Sequence, residues 1–167
     1  MEIFKRNPNY SRRHNLVRDT IYELLIQSGY HAKLEPKEIE HVLGKRPDII
    51  VYGLGVDGRD LALDVSITHP HAYVHDVGSA QPGVANKRRE QEKIKKHEHL
   101  CAENNMDFVP LIFETFGNPS EKSKKFLSLL LSGLEETEEN PIAAPHREYT
   151  GFSSVALQKG ASFMVLR

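Results

Sequence analysis

The chain has 167 residues, long enough for one domain with a sizeable core and short for two. Apolar residues make up 39% and charged residues 27%, which excludes a disordered polar chain, and no apolar run approaches the roughly 20 residues that cross a bilayer. The formal net charge of −1 excludes a uniformly basic coat for nucleic acid, and a lone cysteine, Cys101, excludes a disulfide framework and a multi-cysteine zinc site.

The opening MEIFKRNPNYSRRH has no apolar signal core, so the expected location is intracellular rather than secreted, with no membrane partner. The first helix is expected from about Arg13 to Ser28, with Val17, Ile21, Leu24 and Leu25 on one face. A short strand follows near His31–Leu34. Pro47-Asp48-Ile49-Ile50-Val51-Tyr52-Gly53 is a short β-branched run and predicts a second strand. Gly53, Gly55, Asp57 and Gly58 supply turn chemistry, and Leu61–Ile67 predicts the strand that closes an antiparallel hairpin. Residues 68–83 read as a loop and about Val84–Asn104 as a long charged helix. Phe108–Phe113 predicts a further strand, with Pro110 a caution against a central position in a sheet. A helix over Lys122–Leu131, an acidic linker over about 135–148 and a last helix over about 150–165 complete the order. The chain is thus expected to be a single domain of α/β (α+β) class, with its core over about 12–134.

Charge is distributed unevenly along these elements. Residues 1–30 carry Lys5, Arg6, Arg12, Arg13 and Arg18 against Glu2, Asp19 and Glu23. Residues 87–96 carry six basic groups, Lys87, Arg88, Arg89, Lys93, Lys95 and Lys96, against Glu90 and Glu92. Two basic segments of this kind track phosphates or are simply solvated helix faces.

Asp48 and Asp64 lie in or beside apolar strands, where a carboxylate is costly unless paired or bound to metal. If the hairpin closes around residues 54–58, the two nearly face each other. A hard divalent cation, Mg²⁺ or Mn²⁺, relieves their repulsion, with waters and a phosphate oxygen completing its shell. The alternative is a turn aspartate at 48 and a salt bridge from Asp64 to a helix. On the long helix, Ile94, His97, Leu100 and Cys101 define the buried stripe, which continues through Asn86, Glu90 and Lys93 while Lys95 and Lys96 point away. Lys93 is then placed to orient or deprotonate a water or to offset phosphate charge, and Glu90 to ligate metal or hold the lysine. On the first helix His14 falls on the apolar face and Arg18 at its edge, with phosphate or the carboxylates as expected contacts. His69, His71 and His75 match no closed zinc spacing. Cys101 reads as core, and no phosphate-cradling GxxxxGK[ST] occurs.

These residues resemble the PD-(D/E)XK nuclease superfamily, whose core has the order helix, three strands, helix, strand. The likeness rests on Arg46-Pro47-Asp48, then Asp64-Val65-Ser66 on the next strand, then the lysine-rich helix. It is nearest to the restriction-like endonuclease domain of non-LTR retrotransposons. There the lysine is displaced to the following helix in a K-x-x-K-Tyr pattern, here Lys93-Ile94-Lys95-Lys96-His97. Further similarities are Arg13-His14-Asn15, Pro110-Leu111-Ile112-Phe113-Glu114-Thr115-Phe116-Gly117 and Ser154-Val155-Ala156-Leu157-Gln158-Lys159-Gly160, so the likeness covers most of residues 12–165. The strand lysine usual in the superfamily, two residues after the second acid, is Ser66 here.

The resemblance implies a restriction-endonuclease-like core and Mg²⁺-dependent or Mn²⁺-dependent hydrolysis of DNA. Asp48, Asp64 and Glu90 would form the metal shell, with Lys93 as the catalytic cation. Arg12, Arg13, His14, Arg18, Lys87, Arg88, Arg89 and Lys96 would form the nucleic-acid contacts. Its rivals are a catalytically degenerate nucleic-acid-binding domain, a nuclease for RNA or branched DNA, and a plain interaction domain. A single site cuts one strand, so double-strand cleavage would call for a homodimer or two encounters. No helix reads as a base-contacting recognition element, and the aromatic residues form no stacking array.

Overall fold

A computed structural model of the chain describes residues 8–39, 46–70 and 83–139, with side chains over 11–39, 46–70 and 83–132. The first helix, α1, spans Pro8–Gln27. It starts earlier than the apolar periodicity indicates, because Pro8 suits a first helical turn, where its missing N–H is not needed. Ile21 and Leu25 are fully buried, with Val17 and Leu24 packed beside them. Strand β1 (Ala32–Leu34) follows, then β2 (Ile49–Val51), shorter than the Pro47–Gly53 run suggests. Strand β3 spans Asp60–Thr68, helix α2 Val84–Glu103, strand β4 Met106–Glu114 and helix α3 Glu121–Glu139. The last five residues of α3 take in part of the expected acidic linker, consistent with the good helix propensity of glutamate. The rest of that linker and the expected C-terminal helix lie outside the described residues.

The four strands form one mixed sheet in the order β1-β2-β3-β4. β1–β2 and β2–β3 are antiparallel, so the expected hairpin is present, and β3–β4 are parallel with Asp64 opposite Pro110. One face packs on α1 and α3 through Ile49, Val51, Leu61, Leu63, Val65, Leu111 and Phe113, against Ile21, Leu25, Phe126 and Leu130. The other packs on α2 through Ile50, Ala62 and Phe108 against Cys101. The core is therefore a helix–sheet–helix sandwich whose β3 strand is covered on both faces, which explains why Leu61–Thr68 is buried without alternation.

β4 is an edge strand among the described residues, and Pro110 fits it. On its outer side Ile112 donates its N–H to Ser123 Oγ at 2.7 Å and accepts from the Ser120 N–H at 2.8 Å. Residues of that parity turn their N–H away from β3, so Pro110 removes no ladder bond. The start of α3 thereby caps the exposed edge.

Candidate functional site

β3 places the chemistry. Asp64 sits at its middle on the α2 face, 5% exposed. Lys93, 8% exposed, extends from α2 and sets Nζ 2.5 Å from Asp64 Oδ2. Lys95 and Lys96 are exposed, as the helical stripe predicts. One turn earlier on α2, Arg89 donates Nε–H to Ser66 Oγ at 3.1 Å and pairs with Glu92 at the same distance. Two residues along a strand advance about 6.6 Å and four along a helix about 6 Å. Lys93 and Arg89 thus match Asp64 and Ser66 step for step. That matched spacing was readable in the sequence, although Arg89 is expected there to face phosphate.

Asp48 arrives from β2. Its N–H donates to the Leu63 carbonyl at 3.0 Å and its carbonyl accepts from Glu35, so its backbone is held on both sides. The Asp48 carboxylate accepts the Val65 N–H at 2.7 Å and meets His14 Nε2 at 3.2 Å. The two aspartates therefore address consecutive positions of β3, Asp64 itself and the Val65 amide. His14 also lies 3.1 Å from the Val65 carbonyl. Its hydrogen bond to Asp48 raises its pKa above the ordinary 6.5, outweighing the opposing effect of burial. His14 thus contacts a carboxylate, one of the two contacts expected of it.

The other assignments divide. Arg18 is bound to Asp19 and Glu35, not to the site aspartates: its Nε–H donates to Asp19 at 2.8 Å and its Nη1 meets the Glu35 carboxylate. Glu90 lines a groove of about 530 Å³ between the start of α2 and the start of α3, with Asn118 and Lys124. The expected trio of Asp48, Asp64 and Glu90 is not gathered: among the described residues no three His, Cys, Asp or Glu side chains converge to hold a cation. The reason is rotational, since Glu90 lies three residues before Lys93 and turns toward α3. Arg12, Arg13, Lys87 and Arg88 are exposed. Cys101 is buried, and burial pushes its thiol up to about 11, so it is core and not a nucleophile.

Two residues that carried no assigned role join Asp64. Arg46 and His97 line, with it, a cavity of about 10 Å³, room for roughly one water. His97 also packs its ring 5.6 Å from Phe108. No helix of the described residues is long and apolar enough to cross a membrane.

No family model matches the chain. Over an alignment of 131 positions that covers 74% of the chain, it is 26% identical to part of the Retrotransposable element SLACS 132 kDa protein of Trypanosoma brucei gambiense. The match spans 11% of that protein's length, so the chain is similar to a small part of a much longer retrotransposon protein.

Proposed function

We propose that the chain is a metal-dependent endonuclease that hydrolyses DNA phosphodiester bonds through Asp48, Asp64 and Lys93. One observation carries this reading: a buried Lys93–Asp64 ion pair at 2.5 Å, one β3 position from the amide that holds Asp48. Buried ion pairs are a weak source of stability, because desolvation offsets much of their attraction. A chemical role accounts for this one at the polar end of an otherwise apolar helix–sheet contact. The retrotransposon relative supports a role in nucleic-acid chemistry, and the motif resemblance supports the nuclease class.

The donor set fits a hard divalent cation: two carboxylates would hold it, leaving positions for waters and phosphate oxygens. When bound, Mg²⁺ or Mn²⁺ polarises a phosphate and lowers the pKa of a water. The chain's own residues do the positioning. His14 and the Val65 amide orient Asp48. Lys93 neutralises Asp64 within the protein, and its ammonium can then offset charge on the phosphate or hold the attacking water. Arg89 brings a second cation to Ser66, the position where the superfamily strand usually carries lysine. Arg12, Arg13, Lys87 and Arg88 are exposed and would meet the backbone phosphates.

The test is nicking of supercoiled plasmid in Mg²⁺, Mn²⁺ or EDTA by wild type, Asp64→Ala, Lys93→Ala and Lys96→Ala. Metal-dependent nicking is expected from wild type and Lys96→Ala, with losses of at least about 100-fold in the other two. Equal cleavage by wild type and Asp64→Ala would sink the assignment. Salt-sensitive DNA binding without cleavage by any variant would favour the degenerate binding domain, a reading that Ser66 in place of a strand lysine specifically motivates.

A further inference from the structure

We infer that Phe116 is a stacking seat for an unpaired DNA base beside the cleavage site, so that the preferred substrate is branched or partly single-stranded rather than uniform duplex. This rests on the nuclease reading above.

Phe116 is 77% exposed, the highest value among the large apolar side chains of the described residues. A ring on a loose loop would turn inward, since exposing it is unfavourable. This one is held out. It stands at the tip of a turn closed by the Gly117 N–H to the Glu114 carbonyl at 2.8 Å, with Gly117 at φ 90°, a conformation suited to glycine. On one side the Thr115 N–H donates to the Thr68 carbonyl at 2.9 Å, tying the turn to the end of β3. On the other, the buried Glu114 carboxylate accepts the Gly83 N–H at 3.2 Å and the Asn118 side chain at 3.3 Å, tying it to the start of α2. Asn86 adds a bond to the Asn118 carbonyl at 3.0 Å. The His69 ring meets Phe116 edge-on at 6.2 Å and leaves much of the phenyl surface open.

The surroundings favour a base over a protein side chain. Polar Thr115, Asn118 and Lys87 flank the turn and the start of α2, where Val84 is the other exposed large apolar side chain among the described residues, short of the broad apolar surface of a protein interface. Exposed Lys87 and Arg88 follow directly on the helix that anchors the turn, where they can take phosphates. Stacking on one aromatic is indifferent to base identity and needs the base to be unpaired. The place is also right in scale. Glu114 and Thr68 are register partners, as are Pro110 and Asp64. The turn therefore lies about 13 Å beyond Asp64 along the strand, a span of about four base steps.

The chain contains no tryptophan, so Phe116→Trp creates its only indole reporter. In EDTA, full-length Phe116→Trp is titrated with a single-stranded deoxyoligonucleotide and with a blunt duplex of equal length. Binding of both probes to wild type and Phe116→Ala is measured in parallel by anisotropy. The expected result is quenched emission with the single strand. Phe116→Ala should weaken single-strand binding roughly 5- to 150-fold while duplex binding stays within about twofold. Melting temperatures of both variants should match wild type. Equal losses on both probes, no loss on either, or unchanged emission would overturn the proposal. The plasmid assay separates the two readings: a preserved single-strand preference in a protein that does not cut removes the nuclease and keeps the seat.

Discussion

Asp48 owes its geometry to a histidine, and that dependence has a pH signature. The hydrogen bond from Asp48 raises the His14 pKa above 6.5 in the folded chain, while the unfolded chain titrates near the ordinary value. A raised folded pKa means that protonated His14 favours the fold. Its contribution is complete below pH about 6.5 and is lost as the pH climbs through the raised value. In EDTA, the urea midpoint of wild type should fall across that window relative to His14→Ala, whose profile should be flatter there. Parallel profiles would show that the bond contributes nothing. The inward direction of Lys93 was legible because Ile94, His97, Leu100 and Cys101 fix the rotation of the helix. The direction of Glu90 was not, since three residues of rotation carry it to the groove beside α3, a neighbour that the helix's own pattern does not reveal. The pairing of Arg18 was hidden for a similar reason: Glu35, which it meets, comes from beyond β1.

At the scale of elements, the hairpin that carries Asp48 and Asp64 is fastened from outside. Asp107, near the start of β4, accepts the Val56 N–H at 2.5 Å and pairs with Arg59 at 2.9 Å. Gly55 fits beneath this clamp. A Cβ there would come within 2.7 Å of Asp107 Oδ2 and 2.8 Å of the Arg59 carbonyl. Gly55→Ala should therefore cost about 1–3 kcal/mol through overpacking, read as a lower urea midpoint at an unchanged slope. An unchanged midpoint would mean that the turn yields freely. The glycines of residues 53–58 marked this turn in the sequence, and the hairpin with it. The clamp stayed hidden because its aspartate is separated from the turn by β3, the loop and α2. Pro110 was a fair warning: it lies on an edge strand, and the bonds of Ser120 and Ser123 show how that edge is closed.

Across the described elements, a net charge of −1 conceals basic residues near the starts of two helices. His14 contacts β3 at Val65 from one face and Arg89 contacts it at Ser66 from the other. The exposed Arg12 and Arg13 on α1 and Lys87 and Arg88 on α2 therefore flank the same end of that strand. Each phosphate contact removed should reduce the slope of log affinity for DNA against log salt by about 0.9. Alanine at Arg12, Arg13, Lys87 or Arg88 should show that reduction in anisotropy titrations over a salt series. Arg18→Ala should not, because Arg18 already serves Asp19 and Glu35. Equal slopes for all five variants would mean that none of these cations contacts phosphate. The order of elements was legible because apolar periodicity is a local property. The assembly of the cations was legible only in outline, since it depends on which ends of two helices cross the same strand.

Helix α2 has one further consequence, for insertions and deletions. The residues that seal its contact with the sheet and those that carry the candidate chemistry are counted off along a single uninterrupted helix. Removing one residue between Lys93 and Cys101 would swing the two groups about 100° apart. Either the core or the ion pair would then lose its alignment. Point substitutions can be absorbed one side chain at a time, but a change in length here cannot, so α2 should be nearly fixed in length wherever this fold and its ion pair are retained.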